Sequence, residues 1–408
     1  MFTRYLAANA YVAMDHRDIF PALSRRTYLN WASVGTPPVT AVSAVSEFMN
    51  RMSSMDFNPD FPTFVEKAET ETRQNLARLI SSDASELSFT GSSTTEGVQI
   101  FMQSLNPRKG SNLITTDLDF PLMFTELQKW RNNGVETRIW KNRSGGFNAE
   151  DLAKLVDDDT AAIAISSVNW VTGFRIDLAE VSRVAHEHGA LLLVDSIQHV
   201  GSVEIDVKRE GVDALSGGAH KWLLTPTGIG FLFVNKRAAH RLERVNYGYE
   251  NIVVPEGGWQ SFWERRDKNL LADYRFEDDF RKFQYGGMKN HGGQIALNEA
   301  LKVILSLDQQ ERDSIVSKLR ETLTQSISEL GFKLLSPFDD RHASGIFTFS
   351  SGSEETDRSL HRFLISRGIM VSLRGSAGIG GVRVSVNFLN DDSDVEKLID
   401  AVRIWKSR

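Results

Sequence analysis

Apolar and polar positions alternate in a regular way between about residues 85 and 235. Short apolar segments, which are candidate strands, are separated by amphipathic segments with helical spacing. The candidate strands are ELSFT, NLITT, ETRIW, AAIAISSV, ALLLVDS, VDALSG and GIGFLFVN. Several have apolar residues on both faces, as expected when helices cover both sides of a mainly parallel sheet. The pattern predicts an α/β fold with a doubly wound, mainly parallel sheet of seven strands.

One of the intervening helices is clearly marked. Asp177, followed three residues later by Glu180, is typical of a helix N-terminus. The apolar residues that follow share one helical face, and Gly189 is typical of a helix end. The residues of that face are Leu178, Val181, Val184 and Ala185.

The pattern changes after the last of these strands. Residues 247–285 are rich in aromatic and charged side chains and show no clear period. Their aromatic residues either cover a substrate pocket or lie at a surface or subunit interface; the examples are Trp259, Phe262 and Trp263. A long helix is predicted from about Gln294 to Leu330.

A smaller α+β segment follows this helix. It contains the strands SGIFTFS and VRVSVNF, the helix DRSLHRFLISRG and a last helix from about Asp394. We therefore expect a large domain over residues 27–285 and a small C-terminal domain over residues 286–408. We expect the N-terminal segment, residues 1–26, to pack on the small domain.

Composition narrows the classes of protein that this chain can represent. The chain has 408 residues, of which 41% are hydrophobic and 25% are charged, so it is long enough for two globular domains. The net charge of −6 and the lack of a long basic block disfavour nucleic acid and anionic membranes as partners. No apolar run approaches the ~20 residues that span a bilayer, and the first residues are too polar for a signal peptide. We expect a cytoplasmic protein.

The chain contains no cysteine. Disulfides, thiolate metal sites and a cysteine nucleophile are therefore excluded, and we expect no metal centre.

Residues with chemical potential follow several of the predicted strands, where ligands bind in open α/β sheets. Gly91 and a run of Ser and Thr follow ELSFT, and a helix is predicted to begin near Thr94. The free N–H groups and positive dipole end of such a helix bind phosphate well, although an ordinary helix cap would have the same residues. Asp195 ends a buried strand with Gln198 three residues later; the alternative for Asp195 is the cap of a turn.

Lys221 and Phe120 follow two more of the strands. A lysine beside apolar groups loses part of its preference for the ammonium form and can act as a nucleophile, whereas most lysines are simply solvated. Phe120 is either a platform for a ring or an ordinary core residue. These residues together match the partners that pyridoxal phosphate (PLP) requires, namely a phosphate cradle, a stacking ring, a carboxylate, an amide donor and a lysine.

The sequence also resembles a known family. It is similar to the class V aminotransferase group of fold-type I PLP enzymes, which includes cysteine desulfurases, isopenicillin-N epimerase and kynureninase. The resemblance extends from RTYLNWASVGTPP to VRVSVNFLNDDSDVEKLIDAV. Its most specific part is SSVNWVTGFRIDLAEVSRVAHEHGALLLVDSIQHVGSVEIDV with DALSGGAHKWLLTPTGIGFLFV.

The resemblance implies a role for each matching residue. Those that would contact the cofactor are Lys221 as the Schiff-base lysine, Asp195 at the ring nitrogen, Gln198 at the ring hydroxyl, Phe120 stacked on the ring, Thr94 and Thr95 at the phosphate, and His220. Asn169 is similar to a substrate-side asparagine of kynureninase-like members. Arg374 matches the arginine that binds the substrate carboxylate; Arg383 is the competing candidate, but its place in an alternating strand pattern favours a structural role.

Two positions depart from the family pattern. Gly218 stands where Ser or Asp is common, so that one phosphate contact is missing or is replaced by Ser216. Gly287 stands in GGMKN, where relatives have Gly-Thr in a loop that reaches the partner subunit. Gly287 retains a backbone N–H for the phosphate, and the resemblance still implies a homodimer with the active site near the subunit interface.

The expected reaction is transamination between an amino acid and a keto acid. Epimerisation and C–S or Cβ lysis are the alternatives, whereas a desulfurase that forms a persulfide on its own cysteine is impossible in this chain. Kynureninase-like hydrolysis is disfavoured because the similarity in VNWVTG is short. A non-catalytic PLP-binding protein is a further alternative, but it would not need Lys221, Asp195 and Arg374 together. A NAD-binding Rossmann protein is disfavoured because the Gly-x-Gly-x-x-Gly turn that it needs does not follow the first strand.

Overall fold

The described part of the chain begins with a short helical segment that touches both halves of the molecule. The computed structural model describes residues 16–55, 60–269, 271–272, 274–337 and 339–408. Its first elements are α1 (His16–Ile19), α2 (Pro21–Arg25) and β1 (Thr27–Tyr28). Arg17 forms ion pairs with Asp391 at 2.7 Å and Asp394 at 2.8 Å in the C-terminal region, whereas Phe20 is buried in the core of the large sheet. Residues 1–15 of the predicted N-terminal segment lie outside the described residues.

The centre of the protein is a seven-stranded sheet. Its strands are β2 (Leu87–Thr90), β3 (Asn112–Thr116), β4 (Glu136–Trp140), β5 (Thr160–Ser166), β6 (Leu191–Asp195), β7 (Ala214–Gly218) and β8 (Gly230–Val234). The strand order is β2-β8-β7-β6-β5-β3-β4, and β8 runs in the direction opposite to the other six strands. The predicted fold class is confirmed.

Helices cover both faces of this sheet, which explains why several of its strands have apolar residues on both faces. On β5 and β6, Ile163 and Val194 enter one buried cluster, whereas Ala164 and Leu193 enter another. The helices of this part are α3 (Val39–Ser53), α4 (Asp60–Ile80), α5 (Thr94–Leu105), α6 (Pro121–Asn132), α7 (Ala149–Ala153), α8 (Leu178–Glu187), α9 (Lys236–Ala239) and α10 (Gly258–Glu264). The α8 N-terminus is as predicted, since the Asp177 carboxylate accepts the Glu180 N–H.

The long helix predicted from about Gln294 to Leu330 is wrong, because the structure has two helices there. They are α11 (His291–Ile304) and α12 (Gln309–Glu329). Asp308 caps the second helix by accepting the Glu311 N–H at 2.8 Å, and the Glu311 carboxylate accepts the Asp308 N–H at 3.0 Å. Helix α11 packs on α3 and α4 and contributes to the core of the large sheet, so it associates with the large domain although the predicted division at residue 286 assigns it to the small one.

The C-terminal region forms a smaller sheet with helices on one face. Its elements are β9 (Lys333–Leu334), β10 (Ile346–Ser350), α13 (Glu354–Ser366), β11 (Ile369–Met370), β12 (Ser372–Ser376), β13 (Ile379–Ser385) and α14 (Asp392–Lys406). The antiparallel order is β12-β13-β10-β9, and β11 pairs with β1. Phe349 and Val382 face the small core, whereas Thr348 faces the large domain and donates to the Val171 carbonyl at 2.6 Å. Within the described residues no helix is both long and apolar enough to cross a membrane.

Candidate active site

The sheet brings four of the predicted site segments to one edge. Strands β6 and β7 are parallel neighbours in which Asp195 pairs with Ser216, so Asp195 and the segment leading to Lys221 leave the sheet side by side. Strand β2 runs in the same direction as β7, because both are antiparallel to β8. Strand β3 is parallel to β5, which is parallel to β6. The helix that begins at Thr94 and the turn that carries Phe120 therefore reach the same edge.

Lys221 is held in a tightly packed turn. The Gly35 N–H donates to the His220 carbonyl at 2.8 Å, and any side chain at position 35 would overlap the Lys221 carbonyl oxygen. The Lys221 ammonium lies 5.9 Å from the centre of the Phe120 ring. Burial lowers the pKa of Lys221 to about 8; the attraction of Asp195 opposes this shift, and the charges of two arginines add to it. The amine is therefore more easily deprotonated than an ordinary lysine.

Asp195 is a buried carboxylate that has no close cation. It is 2% exposed, and its Oδ1 accepts the Ile197 N–H at 2.9 Å. Among the described residues no basic side chain lies within ion-pair distance, although Lys221 is near enough to attract it. Burial raises the pKa of Asp195 to about 6, against the effects of the Ile197 bond and Lys221. Such a carboxylate fits a ligand that brings a positive charge, such as a protonated ring nitrogen.

Gln198 and His220 lie beside this pair. The Gln198 amide donates to the Ala32 carbonyl at 3.0 Å and accepts from the Trp222 indole at 2.8 Å, so one of its N–H groups remains for a ligand. Burial and the charge of Lys221 lower the pKa of His220. A Cβ at position 218 would approach Cδ1 of Ile197 to 2.8 Å, so a larger residue there requires a shift of the Ile197 side chain.

The N-terminus of α5 has the features of a phosphate cradle. Thr94 is its first residue, and its hydroxyl is buried without a hydrogen-bond partner. Ser93 makes no side-chain cap, so the first N–H groups of the helix are not satisfied by it. The Thr95 side chain is exposed. The possibility that Ser216 replaces a phosphate contact is wrong, because its fully buried hydroxyl donates to the Thr94 carbonyl at 2.9 Å and anchors the helix to β7.

The unpartnered hydroxyl of Thr94 leads to a prediction about cofactor affinity. Thr94→Val keeps the shape of the side chain and removes only the hydroxyl, so we expect cofactor to bind about 10-fold more weakly. The cofactor-free protein should lose no stability, because no bond within the protein is broken. Cofactor titration and thermal unfolding measure the two effects. Thr137→Val is the control, since it removes an equally unpartnered hydroxyl from β4; equal affinity losses in both variants would contradict the assignment.

Phe120 is presented by a network that the sequence did not reveal. Its ring is 44% exposed and meets Trp170 edge-on at 5.5 Å. The Asp119 carboxylate accepts bonds from Thr116 and Thr115 at the end of β3, and from the Ser166 N–H of β5 at 2.7 Å. Asp119 therefore fixes the turn that aims the Phe120 ring. The sequence does offer one sign of this role, because Asp119 directly precedes Phe120 in DFP.

Asn169 supports the same region from the other side. Its amide donates to the Leu118 carbonyl at 2.9 Å and accepts the N–H groups of Val171 and Thr172, each at 2.9 Å. The Trp170 indole donates to the same Leu118 carbonyl. These bonds explain Asn169 as part of the turn that carries Trp170, and they leave one amide N–H for a ligand. Its role toward cofactor or substrate stays a prediction.

Arg374 and Arg383 converge on one oxygen. Their guanidinium groups donate to the Ser33 hydroxyl at 3.2 Å and 2.7 Å, and Arg383 also donates to the Trp170 carbonyl at 2.7 Å. Neither forms an ion pair within the described residues, and both lower the pKa of Lys221. Arg383 is 1% exposed, and burial followed by the charge of Arg374 lowers its pKa to about 9. Two cations without an acidic partner are suited to an incoming carboxylate.

This arrangement changes the comparison between the two arginines. The sequence favoured Arg374 because Arg383 lies inside an alternating strand. However, the side chains of Arg383 and its pairing partner Ser372 both reach Ser33, on the face of β12 and β13 turned toward the large domain. Position in a strand therefore does not separate the two candidates. Ser33 itself was missed, since one serine in NWASVG carries no signal by itself.

Two further segments complete the surroundings. Gly287 lies with Thr90 and Gly91 around a small cavity of about 30 Å³, so within one subunit its loop is near the start of the phosphate cradle. Trp259 and Trp263 of α10 stack at 5.5 Å, and Trp263 is 53% exposed. Their ring contacts within the described residues are to one another, to Phe262 and to Tyr249, which favours the surface alternative for this aromatic stretch.

Comparison with known proteins places this site in a family. The family described as aminotransferase class-V matches residues 28–398. A probable cysteine desulfurase of Methanothermobacter thermautotrophicus is 26% identical over 403 residues, covering 94% of this chain and 96% of that relative. A cysteine desulfurase of Shigella flexneri is 27% identical over 416 residues, covering 95% and 96%. The chain belongs to the class V aminotransferase family.

Solved structures agree on the fold. A mutant of the protein C-DES with glycine covalently linked to its PLP cofactor has a TM-score of 0.83 at 21% identity, covering 95% of this chain and 98% of that one. A complex of the cystine C–S lyase C-DES with its product cysteine persulfide has a TM-score of 0.82, also at 21% identity, covering 94% and 98%. Family and site together identify the protein as a PLP-dependent class V enzyme.

Proposed function

We propose that this enzyme transfers the amino group of an α-amino acid to a keto acid. The observation that carries the substrate class is the convergence of Arg374 and Arg383 on Ser33, close enough to Lys221 to affect its pKa. Two guanidinium groups without an acidic partner favour a ligand with a carboxylate. For the reaction, support comes from the family and from the lack of any cysteine to receive sulfur.

The residues of the site have separate tasks in this proposal. When bound, PLP supplies an aldehyde for amines and a ring that accepts electrons from Cα. Lys221 would hold the aldehyde and, once released by the substrate amine, would move the proton at Cα; its lowered pKa suits an acid and base near neutral pH. Asp195 would keep the ring nitrogen positively charged, and the Thr94 end of α5 would bind the phosphate.

The experiment that tests this reaction uses one substrate at a time. Holoenzyme is mixed with single amino acids without a keto acid, and the products and the form of the cofactor are analysed. Transamination predicts one equivalent of keto acid and the amino form of the cofactor, with turnover only after a keto acid is added. Continuous release of keto acid and ammonia would instead identify a lyase, and an inverted but otherwise unchanged amino acid would identify an epimerase.

A C–S lyase is the second candidate, and the printed activity of a structural neighbour favours it. That neighbour is a cystine C–S lyase whose product is cysteine persulfide. In such a reaction the Cβ–S bond breaks and sulfur leaves with the small molecule, so that a chain without cysteine can perform it. Cystine in the panel above tests this candidate, because lysis yields pyruvate, ammonia and cysteine persulfide.

The arginine pair leads to a prediction about substrate binding. Because two arginines share the carboxylate, Arg374→Gln and Arg383→Gln should each weaken binding of amino acids by about 2 kcal/mol, which is roughly 30-fold. Simple amines without a carboxylate should be affected less than about 3-fold. Titration of the cofactor absorbance with alanine and with ethylamine measures both. Arg362→Gln on α13 is the matched surface control. A defect of the same size toward both ligands would show that the arginines do not bind the carboxylate.

We also propose that the enzyme acts as a cytoplasmic homodimer, without a nucleic acid or a membrane as partner. The segment around Gly287 supports the dimer, because its side chains Tyr285 and Met288 are apolar and exposed. Sedimentation equilibrium measures the oligomeric state, and a monomer at micromolar concentration would contradict this part of the proposal.

A further inference from the structure

A large groove lies beside Arg374, along one face of the small-domain sheet. It has a volume of about 910 Å³ and is lined by Ser144 from the large domain and by the β12–β13 hairpin, β9, β10 and the start of α13 from the small domain. Arg374 belongs both to this lining and to the cluster around Ser33. The groove therefore begins at the proposed carboxylate site.

Strand register shows how the groove is built. Arg374 pairs with Gly381, and Ser350 pairs with Lys333. Phe349 pairs with Val382, which places the next residue of β10, Ser350, level with Gly381. The four positions thus form one row across the sheet, and residues of one row share a face. This row carries a cation at each end and small residues, Gly381 and Ser350, between them.

The length of the row exceeds what a small amino acid fills. Three strand spacings separate the backbones of Arg374 and Lys333, which is about 14 Å. No side chain blocks the groove at the middle of the row, because position 381 is a glycine. The glycine is required there, since any Cβ would overlap the Phe349 carbonyl. An extended ligand can therefore lie along the row from Arg374 toward Lys333.

The charges along the groove favour an acidic ligand. Lys333 is exposed, and it forms no ion pair within the described residues; the same is true of Arg358 at the groove wall. Three cations therefore face two carboxylates in this lining, Glu354 and Asp357. Glu354 is exposed at the start of α13. The Asp357 carboxylate is already satisfied, since it accepts bonds from Ser350 at 2.6 Å and from Ser351 at 2.7 Å and 2.8 Å. Cationic groups with free donors thus remain at the far end.

We propose that this groove receives the side chain of a long substrate amino acid and that Lys333 binds an acidic group at its end. The inference rests on the proposed function, because it takes the substrate's α-carboxylate to lie at Arg374 and Arg383. It specifies the substrate class as α-amino acids with an extended, terminally acidic side chain. Lys333 is then a specificity residue and takes no part in the chemistry.

The test compares ligands that differ only in the terminal charge. L-2-aminoadipate and L-norleucine have chains of equal length, and γ-L-glutamylglycine extends the acidic series. Dissociation constants are measured from the cofactor absorbance of the holoenzyme at low and high salt. We expect the acidic ligands to bind more tightly than norleucine to the wild type, and Lys333→Gln to weaken the acidic ligands about 5-fold while leaving norleucine unchanged. High salt should reduce this difference.

Two further variants keep the outcome clear. Lys397→Gln, an exposed lysine on α14, should bind all ligands as the wild type does. Ser376→Trp narrows the groove from the hairpin and should weaken every long ligand but not alanine. Equal binding of aminoadipate and norleucine to the wild type, or an equal effect of Lys333→Gln on both, overturns the inference and leaves the proposed function intact. If no amino acid changes the cofactor spectrum, the proposed function itself fails.

Discussion

Turnover should fall by at least ~1,000-fold when Lys221 is replaced by alanine. Two contributions are lost together: the covalent hold on the cofactor aldehyde and the group that moves the Cα proton, and general acid–base catalysis alone contributes about 100- to 10,000-fold. The site favours this role, because burial lowers the pKa of Lys221 to about 8 and Asp195 remains nearby to orient the charge. Steady-state rates with the best amino acid of the panel measure the loss.

Three further measurements separate chemistry from folding in this variant. Borohydride reduction followed by peptide mapping should label Lys221 in the wild type and leave the variant unlabelled. Methylamine added to Lys221→Ala should restore part of the rate, which a misfolded protein would not permit. Lys67→Ala, a change at an exposed lysine of α4, should keep full activity. A cofactor adduct on another lysine would refute the assignment.

The large sheet could be predicted closely from the sequence because burial on both faces favours apolar residues on both faces of its central strands. The segments proposed for β2 to β8 each contain most of the observed strand. The error over α11 and α12 has a local cause, since no Gly or Pro interrupts residues 294–330, although the apolar pattern itself stops at Leu307 and resumes at Ile315. Asp308 and Glu311 form a capping box there and could have revealed the break.

Part of the candidate site could likewise be predicted from the sequence, and part could not. Lys221, Asp195 and Phe120 follow strands in the sequence, so strand prediction alone brings them to one edge of the sheet. Ser33 is 341 residues away from Arg374 in the chain and meets it only after the small domain has docked on the large one. Which face of β13 turns toward the large domain is decided by this docking, and sequence alternation cannot distinguish the two faces of a strand that is covered on both sides.

The cofactor-free site contains charges that oppose folding. Asp195 and Lys221 are both shifted toward their neutral forms by burial, and Arg383 lies buried beside Arg374. A ligand that brings a positive ring nitrogen and a carboxylate offsets these costs, so binding should stabilise the protein strongly. Function and stability therefore place opposite demands on the same residues, which is common at active sites.

Asp195→Asn should reveal this conflict directly, because it should lower activity and raise the stability of the cofactor-free protein. Activity is expected to fall about 100-fold, the scale observed when one positioned electrostatic partner is removed. The pKa of Asp195 in the folded protein is about 6, above its usual value of 3.8. The folded state therefore binds the proton more tightly than the unfolded state, so the contribution of this group to stability is lost as pH rises from about 4 through 6.

Asparagine carries no charge and avoids this loss. At pH 8 the free energy of unfolding of cofactor-free Asp195→Asn should exceed that of the wild type by about 1–3 kcal/mol, after allowing for the lost attraction to Lys221. The difference should shrink as pH approaches 4, where the wild-type carboxyl is protonated in both states. Urea unfolding at pH 5 and pH 8 measures the change. Asp213→Asn is a suitable control, because Asp213 is buried just before β7, at the opposite end of that strand from the segment that leads to Lys221, and is bonded to His186 at 2.7 Å; it should lose stability. A less stable but fully active Asp195→Asn would show that the carboxylate serves the fold and not the cofactor.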